Sequence, residues 1–208
     1  VVSYEGVEQL GSGNADMVDA EDLFPRGTVV LAGIRTFGGR AVAEDAIMAA
    51  SALMKEAGGP LAGVFEQVIS ENEDALPQVE GFSYEEGGEI VGKVDGSTIL
   101  IGSRALFINR QIQVPPREEE SQYASGNQQV VYIGVGDAIR AMLVLTYTAD
   151  RRRRNELQRL ENSGISVIVR STDPNVTPQL ISRLFGIDTA SVGVLDNRLG
   201  EEYRKLTQ

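Results

Sequence analysis

The hydrophobic pattern of this chain changes character part-way along, and that change constrains the fold more than any other feature. Between residues 81 and 147 the apolar residues come in short runs broken by turn residues. Phe82/Tyr84, Ile90/Val94 and Ile99/Ile101 alternate as strand residues do, and Asp95-Gly96 is a strong hairpin turn. Gln129–Val135 and Ile139–Leu145 form a second apolar hairpin around Gly136-Asp137. Beyond residue 149 the pattern becomes helix, strand, helix. Asp150–Asn162, Pro174–Phe185 and Leu199–Leu206 read as helices, and the fully apolar Ile165–Val169 and the shorter Ser191–Val194 read as strands. Helices alternating with short apolar strands point to parallel βαβ units.

The first half fits the same division. Residues 1–28 are polar and turn-rich, Val29–Ile34 reads as a short strand, and Ala41–Ala57 has apolar residues at helical spacing. Gly58-Gly59-Pro60 ends that helix and starts another, whose apolar face is Leu61, Val64, Phe65, Val68 and Ile69. Ser103–Asn109 reads as a short helix with Ser103 at its N-cap, and Val114–Gly126 as a polar loop with one helical turn. The fold class is therefore α/β (α+β), in two styles: an antiparallel middle with two helices and a parallel part inserted around it or appended to it.

Composition removes several functions. With neither Cys nor His among 208 residues, thiol nucleophiles, imidazole bases and the usual zinc sites are excluded, and no metal ligand set is expected. Acid–base work falls to carboxylates, Lys, Tyr or water. The net charge of -11 argues against nucleic acid as a partner, because backbone recognition needs a basic surface. No apolar run reaches the roughly 20 residues of a membrane span, and the chain opens on Val1, so a piece of a longer protein is expected.

Four constellations carry potential chemistry. Arg151–Arg154 is an anion patch or a helix start whose side chains point several ways. The run from Gly87 and Gly88 through Gly92 to Gly96 lies between strands, as hairpin glycines or as a place for close backbone approach to a nucleotide. Asp16, Asp19, Glu21 and Asp22 form either a solvated acidic loop or a source of a nucleophile or hard-cation ligands. Ser171-Thr172-Asp173-Pro174 follows an apolar strand, where open α/β sheets place their sites, and also reads as an N-cap by Thr172 or Asp173 ahead of a proline.

The order of these pieces resembles the cytoplasmic part of a P-type ATPase, nearest the heavy-metal-transporting branch. Gly81–Ser103 (GFSYEEGGEIVGKVDGSTILIGS) resembles that branch's G-x-G-V-x-G-x-V, hairpin and V-G-S/N; Val131–Asp150 (VYIGVGDAIRAMLVLTYTAD) resembles the strand pair leading to D-x-x-R, on Asp150 and Arg153; and Ser163–Ile187 resembles the stretch around T-G-D. The resemblance implies a haloacid-dehalogenase-like phosphorylation lobe from residues 1–28 and 148–208. It also implies an inserted nucleotide-binding lobe over 29–147, ATP and Mg²⁺ as cofactors, and attachment to a transmembrane region at the cytoplasmic face of a membrane. Carried over residue by residue, Asp22 is the candidate nucleophile, Asp173 acts at the phosphate or metal, and Arg153 orients the loop. Gly87, Gly92, Pro60 and Glu89 face the nucleotide.

Departures from the family pattern decide the expected function. Leu23-Phe24-Pro25-Arg26 replaces K-T-G-T after the nucleophile position, Ala57-Gly58-Gly59-Pro60 replaces Ser-Glu-His-Pro, and Glu89 replaces the second glycine of G-x-G. These changes imply a degenerate, non-catalytic regulatory or interaction module that binds no cofactor tightly. The alternatives are an active ATPase or phosphatase using Asp22, and a nucleotide sensor that binds without hydrolysis.

Overall fold

The protein was described from a computed structural model, which covers residues 14–58, 60–69, 75–85, 89–171, 173 and 175–196. The expected helix at 199–206, residues 1–13, and Gly87, Gly88, Thr172 and Pro174 lie outside the described residues.

Two sheets organise the chain. The parallel one has the order β1-β8-β9, from Ala15–Asp19, Ser166–Ser171 and Val192–Asp196. The antiparallel one has six strands in the order β2-β7-β6-β5-β4-β3. Its strands are β2 Val29–Thr36, β3 Val79–Tyr84, β4 Ile90–Val94, β5 Ser97–Gly102, β6 Gln128–Val135 and β7 Ala138–Tyr147. The helices, in chain order, are α1 Ala20–Leu23, α2 Arg40–Ala57, α3 Pro60–Ile69, α4 Arg104–Asn109, α5 Arg117–Ser121, α6 Arg151–Asn162 and α7 Pro178–Phe185.

The large sheet is covered on both faces, and period 2 sorts its residues. Ile99, Ile101, Val131, Ile133, Leu143 and Leu145 pack with Ala46, Ala50, Leu53 and Met54 of α2 and Leu61, Val64 and Phe65 of α3. Leu100, Val130, Tyr132, Met142 and Val144 face the other way, onto Leu106 and Phe107 of α4 and Ile112. Strands covered on both sides read as unbroken apolar runs, the pattern of 130–133 and 141–145. The hairpin between β4 and β5 turns on Asp95 and Gly96, both at positive φ (48° and 78°), the geometry of a primed turn.

In the parallel sheet, β8 pairs on one side with β1 (Ala15 opposite Ser166 through Asp19 opposite Arg170) and on the other with β9. Val167 and Val169 pack on Leu157 of α6 and Leu180, Ile181 and Phe185 of α7. β1 falls inside the segment that the sequence marks only as polar and turn-rich. Its first three residues are exposed, so the strand has little apolar alternation of its own and is set by pairing to β8.

The helix expected from Pro174 instead begins at Pro178. Thr177 is its N-cap, and its Oγ1 accepts from the Leu180 N–H at 3.1 Å, while Pro178 takes the first turn and Gly186 the left-handed C-cap at φ 69°. Asp173 caps nothing, because its carboxylate closes a tight turn by accepting from the Asn175 N–H at 2.9 Å. Removing the cap hydroxyl in Thr177→Ala should lower stability by about 1 kcal/mol, read as an earlier urea midpoint at unchanged slope.

Candidate functional site

The carboxyl ends of β1 and β8 lie side by side, and the residue that ends β1 is Asp19. Its register partner is Arg170. The Arg170 Nη2 donates to Asp19 Oδ2 at 3.1 Å, and Nε sits 2.9 Å from Oδ1 but off the hydrogen-bond direction. Asp22 does not occupy that place. It lies on the four-residue helix α1, exposed, three residues past the strand end. Asp19 stands in the acidic cluster of the sequence beside Asp22, and only the pairing of β1 with β8 puts it rather than Asp22 at the strand end. The usable signal was Met17-Val18-Asp19, an apolar pair ending in a carboxylate.

The residues after Asp22 are packing residues. Leu23 and Phe24 are 2% and 3% exposed. The Phe24 ring meets Tyr147 edge-on at 5.4 Å and Phe185 at 5.7 Å. A loop that offers side-chain donors to an anion cannot at the same time turn its side chains into a core.

Asp173 is buried and both its oxygens are engaged. The Tyr147 hydroxyl donates a short hydrogen bond to Oδ2, and the Asn175 N–H donates to Oδ1. Burial pushes the Asp173 carboxyl up to about 6, against the lowering effect of those two bonds. The same burial, with the Asp173 charge beside it, holds the Tyr147 phenol well above its ordinary value.

Arg153 is committed elsewhere as well. Its backbone N–H is capped by Asp150 at 3.4 Å, and its guanidinium pairs with Glu156 at 3.0 Å. Arg152 shares that carboxylate at 3.7 Å, so the arginine run is largely a helix start with its own counter-charge. Among the described residues no hydrogen bond or ion pair joins Asp22, Asp173 and Arg153.

On the large sheet, Glu89 and Ser103 come together. Glu89 is 7% exposed. The Ser103 hydroxyl donates to its Oε1 at 2.8 Å, and the backbone N–H groups of Ser103 and Leu106 bond it too. Desolvation raises the Glu89 pKa, and these bonds pull it down. The carboxylate thus supplies the capping that the Ser103 side chain, engaged with Glu89, does not give to α4. Gly92 is filled from the helix side: an added Cβ would lie 2.4 Å from a Leu53 methyl and 3.1 Å from the Gly81 carbonyl oxygen. Gly92 therefore serves the close approach of α2 to the sheet, and Gly92→Val would test packing before it tested any ligand. Pro60 opens α3. The Tyr84 hydroxyl donates to the Ala57 carbonyl at 2.9 Å across the turn that leads to Pro60.

The carboxylates do not fit a Mg²⁺ ion. Asp19 is neutralised by a guanidinium, whose charge would oppose a cation there, and Asp173 is sealed beneath Tyr147. Among the described residues no group of three or more acidic side chains could hold a metal.

No family model matches the chain. It is 27% identical over 195 residues to a copper-transporting P-type ATPase of Rhizobium leguminosarum bv. viciae, a match covering 92% of this chain and 23% of that protein. It is 24% identical over 156 residues to a copper-exporting P-type ATPase of Staphylococcus aureus, covering 74% of this chain and 20% of that protein. The chain therefore spans less than a quarter of the length of these relatives. The solved catalytic domain of the CPx-ATPase CopB-B shares the fold, with a TM-score of 0.51 over 99% of this chain and 72% of that one at 14% identity. The resemblance drawn from the motifs holds, as does the mixed fold of an antiparallel and a parallel sheet.

The Asp173 environment generates a pH dependence. Its carboxyl binds a proton more tightly folded (about 6) than at its ordinary value of 3.8. The stability it contributes is therefore complete below about pH 4, falls as the pH rises towards 6, and is gone above that. Asp173→Asn removes the titrating group but leaves one acceptor oxygen for two donors, the Tyr147 hydroxyl and the Asn175 N–H. It should abolish the fall in unfolding free energy between about pH 4 and 6, which in the parent amounts to up to about 3 kcal/mol at about 1.4 kcal/mol per pKa unit. Urea titrations at pH 4, 5, 6 and 7 on both proteins check this.

Proposed function

We propose that this chain is a catalytically degenerate cytoplasmic region of a P-type ATPase-like membrane protein and works as a regulatory or interaction module. In this reading residues 1–28 and 148–208 make an incomplete haloacid-dehalogenase-like phosphorylation lobe, and 29–147 the nucleotide-domain-like lobe inserted in it. The region lies at the cytoplasmic face of the membrane, joined to transmembrane segments in a longer protein; no helix among the described residues is long and apolar enough to cross a bilayer itself. Transport, and the ion transported by the relatives, would belong to the rest of such a protein.

The observation that carries the reading is the Asp19–Arg170 pair. Phosphoryl transfer needs a free carboxylate oxygen in line with the phosphorus, plus cations and donors around the transferring group. At the end of β1 the carboxylate is held by an arginine from the neighbouring strand, and the four residues after it, Ala20-Glu21-Asp22-Leu23, bring two further carboxylates and no cationic donor. Loss of a single oxyanion donor lowers rates on the order of 10²–10³, and here several are replaced together. The acceptor position is thereby reassigned from Asp22 to Asp19, and neither is expected to form an acyl phosphate.

Support also comes from the other lobe. Glu89 places a carboxylate where the family motif has glycine, and it already takes the Ser103 hydroxyl and two N–H donors. Nucleotide affinity should be poor for that reason.

Incubation with Mg²⁺–ATP followed by acid quench should leave no hydroxylamine-labile phosphate on the chain. Such phosphate, mapped to Asp19 or Asp22 by its loss in the Asn variant, would overturn the degenerate reading. Calorimetry with ATP should give no heat at millimolar ligand for the native chain, and a measurable isotherm for Glu89→Gly if the carboxylate is what blocks the site.

A further inference from the structure

We propose that the large sheet carries a ligand site away from the nucleotide position, in the cavity between α2 and the β4–β5 hairpin, and that this site takes a short apolar peptide with free ends. The cavity has a volume of about 610 Å³, within the range of ligand sites, roughly 300–1,000 Å³. It lies along the first half of α2. That helix has 18 residues and is about 27 Å long at 1.5 Å per residue, and Pro60 follows its other end. The proposal goes beyond the reading of a degenerate module and stands whether or not nucleotide binds.

The floor of the cavity is apolar: Ala46 and Ala49 of α2 and Ile99 of β5 are buried beneath it. Three charged side chains line it, Asp45 of α2, Asp95 at the hairpin turn and Arg140 of β7. Among the described residues none of these three charges has a hydrogen-bond or ion-pair partner. Asp19, Asp173 and Glu89, by contrast, are all engaged. Arg140 is placed by two local devices. Ile133 pairs with Ala141 and Gly134 with Ile139, so Arg140 is the extra residue of a β-bulge. A bulge re-aims one side chain out of the strand's alternation. Gly38, at φ 78°, then leaves room for the guanidinium, because an added Cβ there would collide with it.

The charges select the ligand. An anion would gain Arg140 but meet two carboxylates, and a cation would gain the carboxylates but meet a guanidinium. A neutral apolar molecule would leave all three charges as they are. A zwitterion with an apolar body satisfies both signs and covers the floor. The spacing of the strands sets its length. Arg140 on β7 and Asp95 at the end of β4 are two to three strand spacings apart across the sheet, on the order of 10–15 Å at about 4.8 Å each. A single amino acid has its two ends too close together to bridge that gap. A peptide of two or three residues, at about 3.5 Å each, bridges it with the reach of the arginine side chain. Its carboxylate sits on Arg140 and its ammonium on Asp95, while Asp45 turns free anions away.

Amide NMR on the 208-residue chain, titrated with the peptide Ala-Leu-Ala at neutral pH, tests this. The Ala46, Ala49 and Ile99 resonances should shift and saturate at millimolar peptide. Acetylating the amino end, amidating the carboxyl end, Asp95→Asn or Arg140→Gln should each weaken binding about tenfold or more, the loss of one charge-assisted bond. Asp95→Asn keeps the hairpin, since Asn-Gly favours the same turn. Absence of saturable shifts at millimolar peptide would overturn the proposal, and so would equal binding of the free and blocked peptides. Leucine binding as tightly as the tripeptide would overturn the assigned span. Mg²⁺–ATP should not displace the peptide, and displacement would overturn the separation of this cavity from the nucleotide position.

Discussion

Tyr147 is the residue on which the architecture turns. It ends β7, pairs in register with Val29 at the start of β2, and so fixes where the large sheet begins and ends. Its ring packs against Phe24, and its hydroxyl donates to Asp173. A buried phenol needs an acceptor and a buried carboxylate needs donors. Each supplies what the other lacks, at the point where the antiparallel and parallel parts of the chain meet. The short Tyr147–Asp173 bond therefore stabilises tertiary structure, and the cost of burying the acid, which that bond only partly offsets, is visible in its raised pKa. A site that must bind and release a charged ligand could not use Asp173 in this way.

That constraint passes to the loop after β1. With Tyr147 and Phe185 presenting aromatic surface at the meeting point, the residue facing them is most stable as another aromatic, and Phe24 is there. Leu23 and Ala20 follow it inward, leaving Glu21 and Asp22 outward on a single helical turn. Ala20, Leu23 and Phe24 of this segment thus belong to the core, while Glu21, Asp22 and Pro25–Gly27 stay exposed. The charge at the strand end is settled locally by Arg170, whose guanidinium is held mostly out of solvent beside Asp19.

Much of the fold was legible because its strands are either covered on both faces or bounded by strong turns. Asp95-Gly96 fixed one hairpin, and the apolar runs at 129–135 and 139–145 marked the two most buried strands. The elements that escaped are those set by partners distant in sequence. β1 has too few apolar residues to announce itself and exists through its ladder to β8. The start of α7 was misplaced because two prolines, Pro174 and Pro178, offered the same first-turn signal, and only the Thr177 hydroxyl distinguishes them. In the site, the altered motif positions could be read, but what replaced their function could not. Asp19 with Arg170, Asp173 with Tyr147, and Glu89 with Ser103 are each separated by 14 or more positions. No periodicity links them.

These three pairs also bear on how the fold accommodates its carboxylates. A carboxylate left in a protein interior without its metal or ligand would carry an uncompensated desolvation cost of several kcal/mol. Neither buried one is left so, and the half-exposed Asp19 is paired as well. Asp19 has a guanidinium, Asp173 has a phenol and an N–H, and Glu89 has a hydroxyl and two N–H groups. Each of these carboxylates thus has a partner within the protein. Of the three, only the Tyr147–Asp173 bond joins the two sheets, since Asp19–Arg170 lies within the small sheet and Glu89–Ser103 beside the large one, so the meeting of the two parts of the chain depends on that one buried polar contact and the aromatic packing around it.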